Sequence, residues 1–384
     1  MKKGVVILGS TGSIGRNALH ILRHFPAQFR IIGLSAGRNI RLLKQQIKEY
    51  NPELVAVHDP HSCRALRKEK LSCEIREGEN GIKELCSLKN APLLLNAIIG
   101  SSGLKYTVEA ILHKKTIALA NKESYVMAGL LLDRLLKKYN ARIIPVDSEH
   151  SALFHLLQNL KKEDVESLIL TASGGPFLHK PREYFQRISL RETLKHPVWS
   201  MGSKITVDSA TMMNKGFEVI EAHHLFHISY DRIKVVIHPQ SLIHSMVQTI
   251  DGEIYSQMSP PDMRYAILNA LTFPEKFRNP LIKFNFRKDH TLSFQEPDYR
   301  KFPLLRYAYT IGRKGGNAPA SLCVADDIVV RGFLNKKIKF SRIYPAIRYI
   351  VSRIKYVENP DLNNIFWLER HINEKYSPLL LASV

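Results

Sequence analysis

The chain has 384 residues, enough for two or three domains of about 150 residues each. Its composition of 45% hydrophobic and 24% charged residues is typical of a globular protein with a sizeable core. The formal net charge of +21 would suit nucleic acid or a phosphorylated ligand, but the Lys and Arg residues form no long basic run and no aromatic-rich RNA-binding pattern. A basic bias of the proteome or small acidic substrates explain the charge equally well, so we expect no nucleic-acid partner.

The cysteines predict a reducing compartment. Residues 63, 73, 86 and 323 show no C-x-x-C spacing, which argues against a disulfide framework and a zinc site. No run of about 18 apolar residues is present, and a strand-like segment begins within three residues of Met1. We therefore expect a cytoplasmic protein without a signal peptide and without a membrane partner.

The chain opens with a strand, a glycine turn and a helix. Residues 4–8 are continuously apolar, Gly9, Gly12 and Gly15 follow in a G-x-x-G-x-x-G spacing, and residues 14–25 have helical periodicity. Amide groups at the start of such a helix point at a phosphate, as in dinucleotide-binding proteins. The alternative is a glycine-rich connection that binds nothing.

The second strand, over residues 29–35, ends where an NAD-binding protein would have an acidic residue, about 20 residues beyond the glycines. The segment from Ser35 to Asn39 contains no carboxylate but does contain Arg38. A guanidinium suits a 2′-phosphate, so we predict NADP over NAD. The alternative for Arg38 is an ordinary surface arginine.

Strands and helices then alternate. Strands are predicted over 54–57, 93–99, 116–120 and 141–146, with helices over 104–113 and 125–139. This alternation predicts a parallel, doubly wound sheet, in which ligands bind beyond the carboxyl ends of the strands. Polar clusters follow two of these strands, at residues 121–123 and 147–149. Residues 121–123 could instead cap a helix.

Two carboxylates in the second cluster predict a metal site. If the extended strand continues past residue 146, the side chains of Asp147 and Glu149 project to the same side. A hard divalent cation such as Mg²⁺ or Mn²⁺ would relieve their repulsion, with Glu218 as a third candidate ligand. The alternative is an acidic start of a helix over residues 151–160.

The next polar stretches lie at residues 171–176 and 196–222. The first follows a strand over 167–170, and its Ser173 stands beside two glycines that could offer amides to a phosphate or merely form a turn. In the second, Asn214, Lys215 and Glu218 share one face of a helix. They could bind one ligand, or they could be a solvated face with an ordinary Lys-Glu pair.

The remainder of the chain gives weaker signals. Strands are predicted over 234–238 and 243–250, and a helix is predicted to begin within 261–264. Residues 273–303 lack periodicity and read as an irregular linker. Residues 304–384 are helical in pattern, with interruptions expected at Pro345 and Pro360.

Eight motifs occur in an order that resembles the 1-deoxy-D-xylulose 5-phosphate reductoisomerase family. In chain order they are GSTGSIG, AGRN, ANKE, DSEHSA, TASGGPF, HPVWSMGSKITVDSATMMNKGFEVIEA, HPQSLIHSMV and PDMR. The resemblance implies an NADPH- and divalent-metal-dependent enzyme that rearranges and reduces 1-deoxy-D-xylulose 5-phosphate to 2-C-methyl-D-erythritol 4-phosphate for isoprenoid synthesis. The metal would be Mg²⁺ or Mn²⁺, with Co²⁺ as a further candidate, and would chelate the substrate's ketone and hydroxyl oxygens. The resemblance leaves open a retro-aldol or a concerted rearrangement.

The resemblance also implies an α/β architecture and a homodimer. The expected parts are a Rossmann-like NADPH-binding domain over 1–148, a catalytic α/β domain with the metal site and a mobile flap over 149–272, a linker over 273–303 and a helical domain over 304–384. The flap would span residues 196–204, with Trp199 closing over the substrate.

Site residues are carried over by motif. Those expected at the cofactor are Thr11, Gly12, Ser13, Ile14, Gly37, Arg38, Asn39, Asn121, Glu123 and Gly202. Those expected at the phosphorylated sugar are Lys122, Ser148, Glu149, Ser173, His196, Trp199, Ser209, Asn214, Lys215 and Glu218. The metal ligands would be Asp147, Glu149 and Glu218, and the catalytic set Lys122, His196 and Glu149.

The chain departs from the family pattern at two places. Arg38 stands where the family usually has lysine, which preserves the charge. Residues 322–328, Leu-Cys-Val-Ala-Asp-Asp-Ile, stand where L-N-A-A-N-E is usual, a change that concerns packing or closure of the helical domain. The rival hypotheses are another NADP dehydrogenase, of the homoserine or semialdehyde type, and a non-enzymatic nucleic-acid binder.

Overall fold

The structure is a computed structural model that describes residues 2–199, 201–281, 283–287 and 291–382, the last range without the side chains of residues 379, 381 and 382. Residue 200 of the predicted flap and residues 282 and 288–290 of the predicted linker therefore lie outside the described residues. The chain divides into two compact units. Unit 1 comprises Met1–Ser124, Leu132–Ser151 and Asp262–Ile282, and unit 2 comprises Tyr125–Leu131, Ala152–Pro261 and Lys283–Val384. The predicted domain boundaries stay predictions.

The described residues contain strands and helices with the following bounds. The strands are β1 Lys3–Leu8, β2 Phe29–Ala36, β3 Leu54–Val57, β4 Glu74–Glu77, β5 Leu93–Asn96, β6 Thr116–Leu119, β7 Arg142–Pro145, β8 Val165–Ala172, β9 Ile233–Ile237, β10 Ile243–Thr249 and β11 Ile254–Met258. The helices are α1 Ser13–Leu22, α2 Ile40–Tyr50, α3 Pro60–Arg67, α4 Gly78–Ser87, α5 Ser102–Leu112, α6 Lys122–Tyr139, α7 Ser148–Leu157, α8 Leu190–Thr193, α9 Ser203–Thr211, α10 Met213–Phe226, α11 Met263–Thr272, α12 Pro303–Lys314, α13 Ala318–Leu334, α14 Ile343–Ser352 and α15 Leu362–Ala382.

Unit 1 is built on a parallel sheet. Its strand order within the described residues is β4-β3-β2-β1-β5-β6-β7, and every neighbouring pair is parallel. The central strands are buried apolar runs with helices between them, the pattern that buries both faces of a parallel sheet. The predicted doubly wound sheet is confirmed. Strand β4 was not predicted because its sequence, Glu-Ile-Arg-Glu, lies at the sheet edge and has no apolar run.

Unit 2 contains a mixed sheet with the order β11-β10-β8-β9. Strands β8 and β9 are parallel, whereas β10 is antiparallel to both β8 and β11. Strand β11 was missed because it is an edge strand whose first three residues are exposed, so it shows no alternation of buried and exposed side chains.

The C-terminal helices α12–α15 confirm the predicted helical character of residues 304–384, with one correction. Pro345 does not interrupt the pattern, because it lies in the first turn of α14, where the backbone N–H has no partner within the helix. Pro360 does precede α15, as predicted, while Pro378 lies inside that helix. None of the described helices is long and apolar enough to cross a membrane.

Candidate functional site

The glycine turn in unit 1 leads into a helix that no side chain caps. Gly9 has a φ of +79°, the Gly12 amide donates to the Gly9 carbonyl at 3.0 Å, and α1 then begins at Ser13. No side chain caps this helix, and Gly12 and Ser13 are exposed. A Cβ on Gly15 would lie 2.4 Å from the Gly9 carbonyl oxygen, so only glycine allows this close contact of helix and turn. The turn therefore has the geometry of an anion site at a helix N-terminus.

The segment after β2 exposes the side chain of Arg38 to solvent. Its side chain is 87% exposed, and its Nε lies 3.3 Å from Oδ1 of Asp59, the residue that caps α3. The sequence had indicated that no carboxylate accompanies Arg38, but the loop after the neighbouring strand β3 supplies one. Asn39 caps α2 by accepting a hydrogen bond from the Leu42 amide at 3.2 Å, and a Cβ on Gly37 would meet nothing within 4 Å.

The side chain of Asn121 is occupied by the fold. Its Oδ1 accepts from the Ser124 amide at 2.9 Å and so caps α6, while its Nδ2 donates to the carbonyls of Ile98 and Gly100. The capping alternative therefore describes this side chain correctly. Glu123 in the first turn of α6 accepts from the same Nδ2 at 3.2 Å. The cofactor role predicted for Asn121 and Glu123 stays a prediction.

The cluster at residues 147–150 lies beyond the carboxyl end of β7. The extended strand does not continue past residue 146, because α7 begins at Ser148. The alternative of an acidic helix start describes Glu149 correctly, since it lies in the first turn of α7. Nevertheless, a carboxylate oxygen of Asp147 lies within 4.8 Å of one of Glu149. The Glu149 amide donates to Oδ1 of Asp147 at 3.2 Å, and the Ser148 hydroxyl donates to Oε2 of Glu149.

The side chains of Lys122 and His150 both lie against the carboxylate of Asp147. The ammonium of Lys122 lies 2.8 Å from its Oδ2, and the side chain of Lys122 is only 11% exposed. The fully buried His150 has its Nδ1 3.3 Å from Oδ1 of the same carboxylate. The sequence had predicted Lys122 as a site residue, but it gave His150 no role. The Lys122 ammonium thus forms an ion pair with one oxygen of Asp147, and the His150 ring lies against the other.

In unit 2, the strand β8 ends in a turn that contains the half-buried Ser173. Gly174 and Gly175 have φ values of +81° and +68°, so side chains there would be strained, and a Cβ on Gly175 would lie 2.9 Å from the Ser209 carbonyl. The Gly175 amide donates to the Ser173 hydroxyl oxygen at 3.3 Å. The glycines thus let this turn lie close to α9.

His196 connects the two predicted hydroxyl groups. Its Nε2 lies 3.1 Å from Oγ of Ser173 and 3.1 Å from Oγ of Ser209. Its Nδ1 accepts hydrogen bonds from the amides of Val198 and Trp199, at 3.2 and 2.8 Å. Because Nδ1 is an acceptor, the neutral ring holds its proton on Nε2 and donates it to one serine. Burial lowers the pKa of His196, which favours this neutral form.

This geometry predicts a pH dependence of stability. A histidine whose pKa is lowered in the folded state binds fewer protons folded than unfolded, so its contribution is present above the unfolded-state pKa of about 6.5 and is lost as pH falls below it. We expect the free energy of unfolding to decrease from pH 7 to about pH 5 in denaturant titrations, and less steeply in His196→Gln. His179→Gln, which alters an exposed histidine of the same unit, is the control. Identical slopes in all three proteins would contradict the assignment.

Helices α9 and α10 meet at Met212, whose φ of 61° ends the first helix and starts the second. Asn214 donates to Oε1 of Glu218 at 2.5 Å, and the Lys215 ammonium donates to Oε2. Lys215 and Glu218 are 4% and 1% exposed. The Lys-Glu pair of the alternative hypothesis exists, but it is buried, so the alternative of a solvated face is wrong.

Around these helices lie the predicted flap residues and a cluster that the sequence did not reveal. Trp199 is half-buried with its ring 6.3 Å from that of His244, and Gly202 caps α9. Lys204 donates to Asp208 on its own helix and to Asp326 on α13, both at 2.6 Å. Asp326 is fully buried and burial raises its pKa, against the effect of Lys204. The divergent C-terminal segment thus reaches the start of α9.

The donor atoms suit a hard divalent cation. Asp147 and Glu149 in unit 1 are half-buried, and Glu218 in unit 2 is buried. Three carboxylates offer oxygen ligands and three negative charges, the chemistry that Mg²⁺ and Mn²⁺ prefer. Within each unit an ammonium lies close to one of these carboxylates, Lys122 at Asp147 in unit 1 and Lys215 at Glu218 in unit 2. The residues therefore fit a metal of this type.

The parallel sheet, the glycine turn and the carboxylates beyond β7 define a dinucleotide-binding α/β protein. Family profiles match residues 5–129 as 1-deoxy-D-xylulose 5-phosphate reductoisomerase, and residues 143–226 and 258–375 as its C-terminal domains. The chain belongs to the 1-deoxy-D-xylulose 5-phosphate reductoisomerase family.

Individual relatives are similar in sequence over nearly the whole length of the chain. The reductoisomerase of Thermodesulfovibrio yellowstonii is 47% identical over 95% of this chain and 96% of its own, and that of Listeria monocytogenes is 43% identical over 99% and 100%. Among solved structures, a reductoisomerase in complex with NADPH, fosmidomycin and magnesium has a TM-score of 0.93 at 33% identity, covering 99% of this chain and 98% of its own. The Zymomonas mobilis enzyme in complex with NADPH has a TM-score of 0.92 at 35% identity, covering 99% of each chain.

Proposed function

We propose that this protein converts 1-deoxy-D-xylulose 5-phosphate into 2-C-methyl-D-erythritol 4-phosphate, using NADPH and a divalent metal. Membership of the family supports the reaction, and relatives solved with NADPH and with magnesium support the two cofactors. The observation on which the proposal rests is the Asp147–Glu149 pair, two carboxylates within 4.8 Å beyond the end of a parallel strand. Ligands of such sheets bind at this edge.

We assign the metal to Asp147, Glu149 and Glu218. When bound, it would act as a Lewis acid that polarises the substrate's carbonyl oxygen. Asn214 and Lys215 hold the two oxygens of Glu218, and Lys122 holds one of Asp147, so the chain fixes the orientation of the ligands before substrate arrives. The physiological ion is Mg²⁺ or Mn²⁺ in this proposal, with Co²⁺ as a further candidate.

We assign NADPH to the glycine turn and the segment after β2. The cofactor would supply the hydride that reduces the rearranged carbonyl. The segment Thr11–Ile14 at the start of α1, which no side chain caps, would bind its pyrophosphate, and the exposed guanidinium of Arg38 would bind its 2′-phosphate, with Gly37 and Asn39 beside it. Asn121, Glu123 and Gly202 complete the proposed cofactor set.

Replacing Arg38 by aspartate should shift the cofactor preference from NADPH towards NADH. The change removes a charge-assisted contact to the 2′-phosphate and places a second carboxylate beside Asp59, so the ratio of the two kcat/KM values should fall about 100-fold. Steady-state kinetics with both cofactors measures this ratio. Arg30→Asp, at an exposed arginine that pairs with Glu53, is the matched control and should leave the ratio unchanged.

We assign the substrate's phosphate and hydroxyl groups to the residues around His196. Ser173 and Ser209 offer hydroxyls on either side of its Nε2, and Asn214 and Lys215 offer an amide and an ammonium. Ser148 offers a further hydroxyl beside Glu149, and Trp199 in the flap would exclude water from the reacting atoms. These contacts would fix the orientation of the sugar phosphate.

Lys122 and His196 are the proposed groups for proton handling, together with Glu149. Neutral His196 has an Nε2–H that can donate to a substrate oxygen, while its Nδ1 stays bound to the flap amides of Val198 and Trp199. Lys122 can polarise or donate to an oxygen near Asp147. The neutral histidine therefore acts first as a hydrogen-bond donor.

The decisive assay follows NADPH consumption with 1-deoxy-D-xylulose 5-phosphate and identifies the product. We expect 2-C-methyl-D-erythritol 4-phosphate to form only when a divalent metal is present. Activity that survives exhaustive metal removal would favour the rival NADP dehydrogenase, which needs no carboxylate set. Tight, steeply salt-dependent binding to generic DNA or RNA with no turnover would favour the nucleic-acid binder.

We also propose a cytoplasmic homodimer. Cys63, Cys73 and Cys86 are free thiols, which supports a reducing compartment. Strand β11 is an edge strand whose Ile254 and Tyr255 are 55% and 42% exposed. An exposed apolar edge is suited to pairing with a second copy. Ile254→Lys should convert the dimer to a monomer in sedimentation equilibrium, whereas Arg353→Glu, at the residue that follows α14, should not. A monomeric wild-type protein would contradict the proposal.

A further inference from the structure

A pocket rich in arginine lies in unit 2, and none of its lining residues is among those assigned above. It has a volume of 480 Å³, and its nine lining residues include Arg182, Arg300, Arg306 and Arg348 but no carboxylate. All four arginines are exposed. Within the part of the chain that the structure describes, none of them forms an ion pair. Four like charges thus share one concave surface without a compensating acid.

Helices α12 and α14 form two sides of the pocket and carry Arg306 and Arg348. Pro303, Arg306, Tyr307 and Thr310 are spaced i, i+3, i+4 and i+7 on α12, so they form one face of that helix. Tyr344 and Arg348 are i and i+4 on α14 and form the facing wall. The start of α12, which no side chain caps, adds the positive end of a helix dipole.

The pocket arginines differ from two arginines on neighbouring parts of the helical segment, which pair with acids. Arg313, three residues beyond the pocket face of α12, pairs with Asp231 at 2.7 Å, and Arg331 on α13 pairs with Asp327 at 3.1 Å. Asp298 is close in sequence to Arg300, and its Oδ1 accepts hydrogen bonds from the backbone amides of Arg300 and Lys301. Arg313 and Arg331 therefore have acidic partners, and the four pocket arginines have none within the described residues.

We propose that this pocket binds a small ligand through two or three linked phosphate groups. Guanidinium groups match phosphate oxygens with paired N–H donors, and four of them around one cavity exceed what a single phosphate needs. The rings of Tyr307 and Tyr344 lie edge to face at 5.9 Å and line the same space, where they can pack against a ring attached to the phosphates. The ligand is thus an inorganic oligophosphate or a nucleoside di- or triphosphate.

Calorimetric titration of the NADPH-saturated protein tests the site. NADPH fills the assigned cofactor site, and a buffer without divalent metal avoids chelation by the phosphates. The probes are orthophosphate, inorganic triphosphate and a purine nucleoside triphosphate. We expect triphosphate to bind at least about tenfold more tightly than orthophosphate. Tighter binding of the nucleotide than of triphosphate identifies a nucleotide site, and equal binding identifies an inorganic oligophosphate site.

Substitutions of single arginines test whether triphosphate binds in this pocket. Arg348→Glu and, separately, Arg306→Gln should weaken triphosphate at least about tenfold, whereas Arg370→Glu, a matched charge change at an exposed arginine of α15, should change it less than about twofold. Reductoisomerase turnover should stay unchanged in all three, which separates this proposal from the assigned function. No triphosphate binding, or equal weakening by Arg348→Glu and Arg370→Glu, would overturn the proposal.

Discussion

Glu218→Gln is expected to reduce kcat on the order of 10³-fold while leaving the affinity for NADPH unchanged. The substitution removes a charged metal ligand, and the Lewis-acid effect of the metal corresponds to several kcal/mol of the activation free energy. Glu218 is buried on α10 and contacts Asn214 and Lys215, and it is not among the residues assigned to the cofactor. Steady-state turnover and NADPH fluorescence titration measure the two quantities separately.

The control for this prediction is Glu221→Gln, which removes a second buried carboxylate from the same helix. Both variants lose a buried charge, so a general loss of stability would affect both alike. We expect Glu221→Gln to retain metal-dependent turnover. If Glu218→Gln weakened NADPH binding as strongly as it reduced turnover, the separation of the metal and cofactor roles would be wrong.

Lys204→Met is expected to decrease the free energy of unfolding of unit 2 by about 3–5 kcal/mol. The ammonium of Lys204 lies 2.6 Å from both Asp208 and Asp326, which are 3% and 0% exposed. Without it, two buried carboxylates would face each other with no cation between them. Asp326, whose pKa is already raised by burial, should then take up a proton on folding.

A second variant and a pH series complete this test. Lys204→Met/Asp326→Asn should recover part of the lost stability, because one buried charge is gone. A carboxyl whose pKa is raised in the folded state binds more protons folded than unfolded, so Lys204→Met should become less stable as pH rises from about 5 to 8. The comparison is Arg331→Met, which breaks an exposed pair with Asp327 and should change the stability by less than about 1 kcal/mol. Equal effects of Lys204→Met and Arg331→Met would contradict the account.

The features that could be predicted from the sequence depend on local pattern. The first strand, the glycine turn and the helix are contiguous, and the apolar strands of the parallel sheet stand out because both of their faces are buried. Edge strands β4 and β11 could not be predicted in this way, because their side chains face solvent. Pro345 was misread because position within a helix, not the residue itself, decides whether proline breaks it.

The features that could not be predicted join distant parts of the chain. His196 meets Ser173 and Ser209 only because the turn after β8 and the helix α9 come together through the glycines at 174 and 175. Lys204 and Asp326 are 122 residues apart, so no spacing rule connects them. For the same reason the acid beside Arg38 was missed, because Asp59 follows a neighbouring strand. The metal assignment, in contrast, was suggested by the Asp-x-Glu spacing, although a helix start and not an extended strand brings the two carboxylates together.

The central claim of this account is that Asp147, Glu149 and Glu218 hold one divalent ion. Titration with Mn²⁺, followed by electron paramagnetic resonance of the free ion, tests it most directly. The account predicts one tight site in the wild-type protein, and strong loss of that site in each of Asp147→Asn, Glu149→Gln and Glu218→Gln. A site that persists unchanged in Glu218→Gln, or a wild-type protein that binds no Mn²⁺, would contradict it.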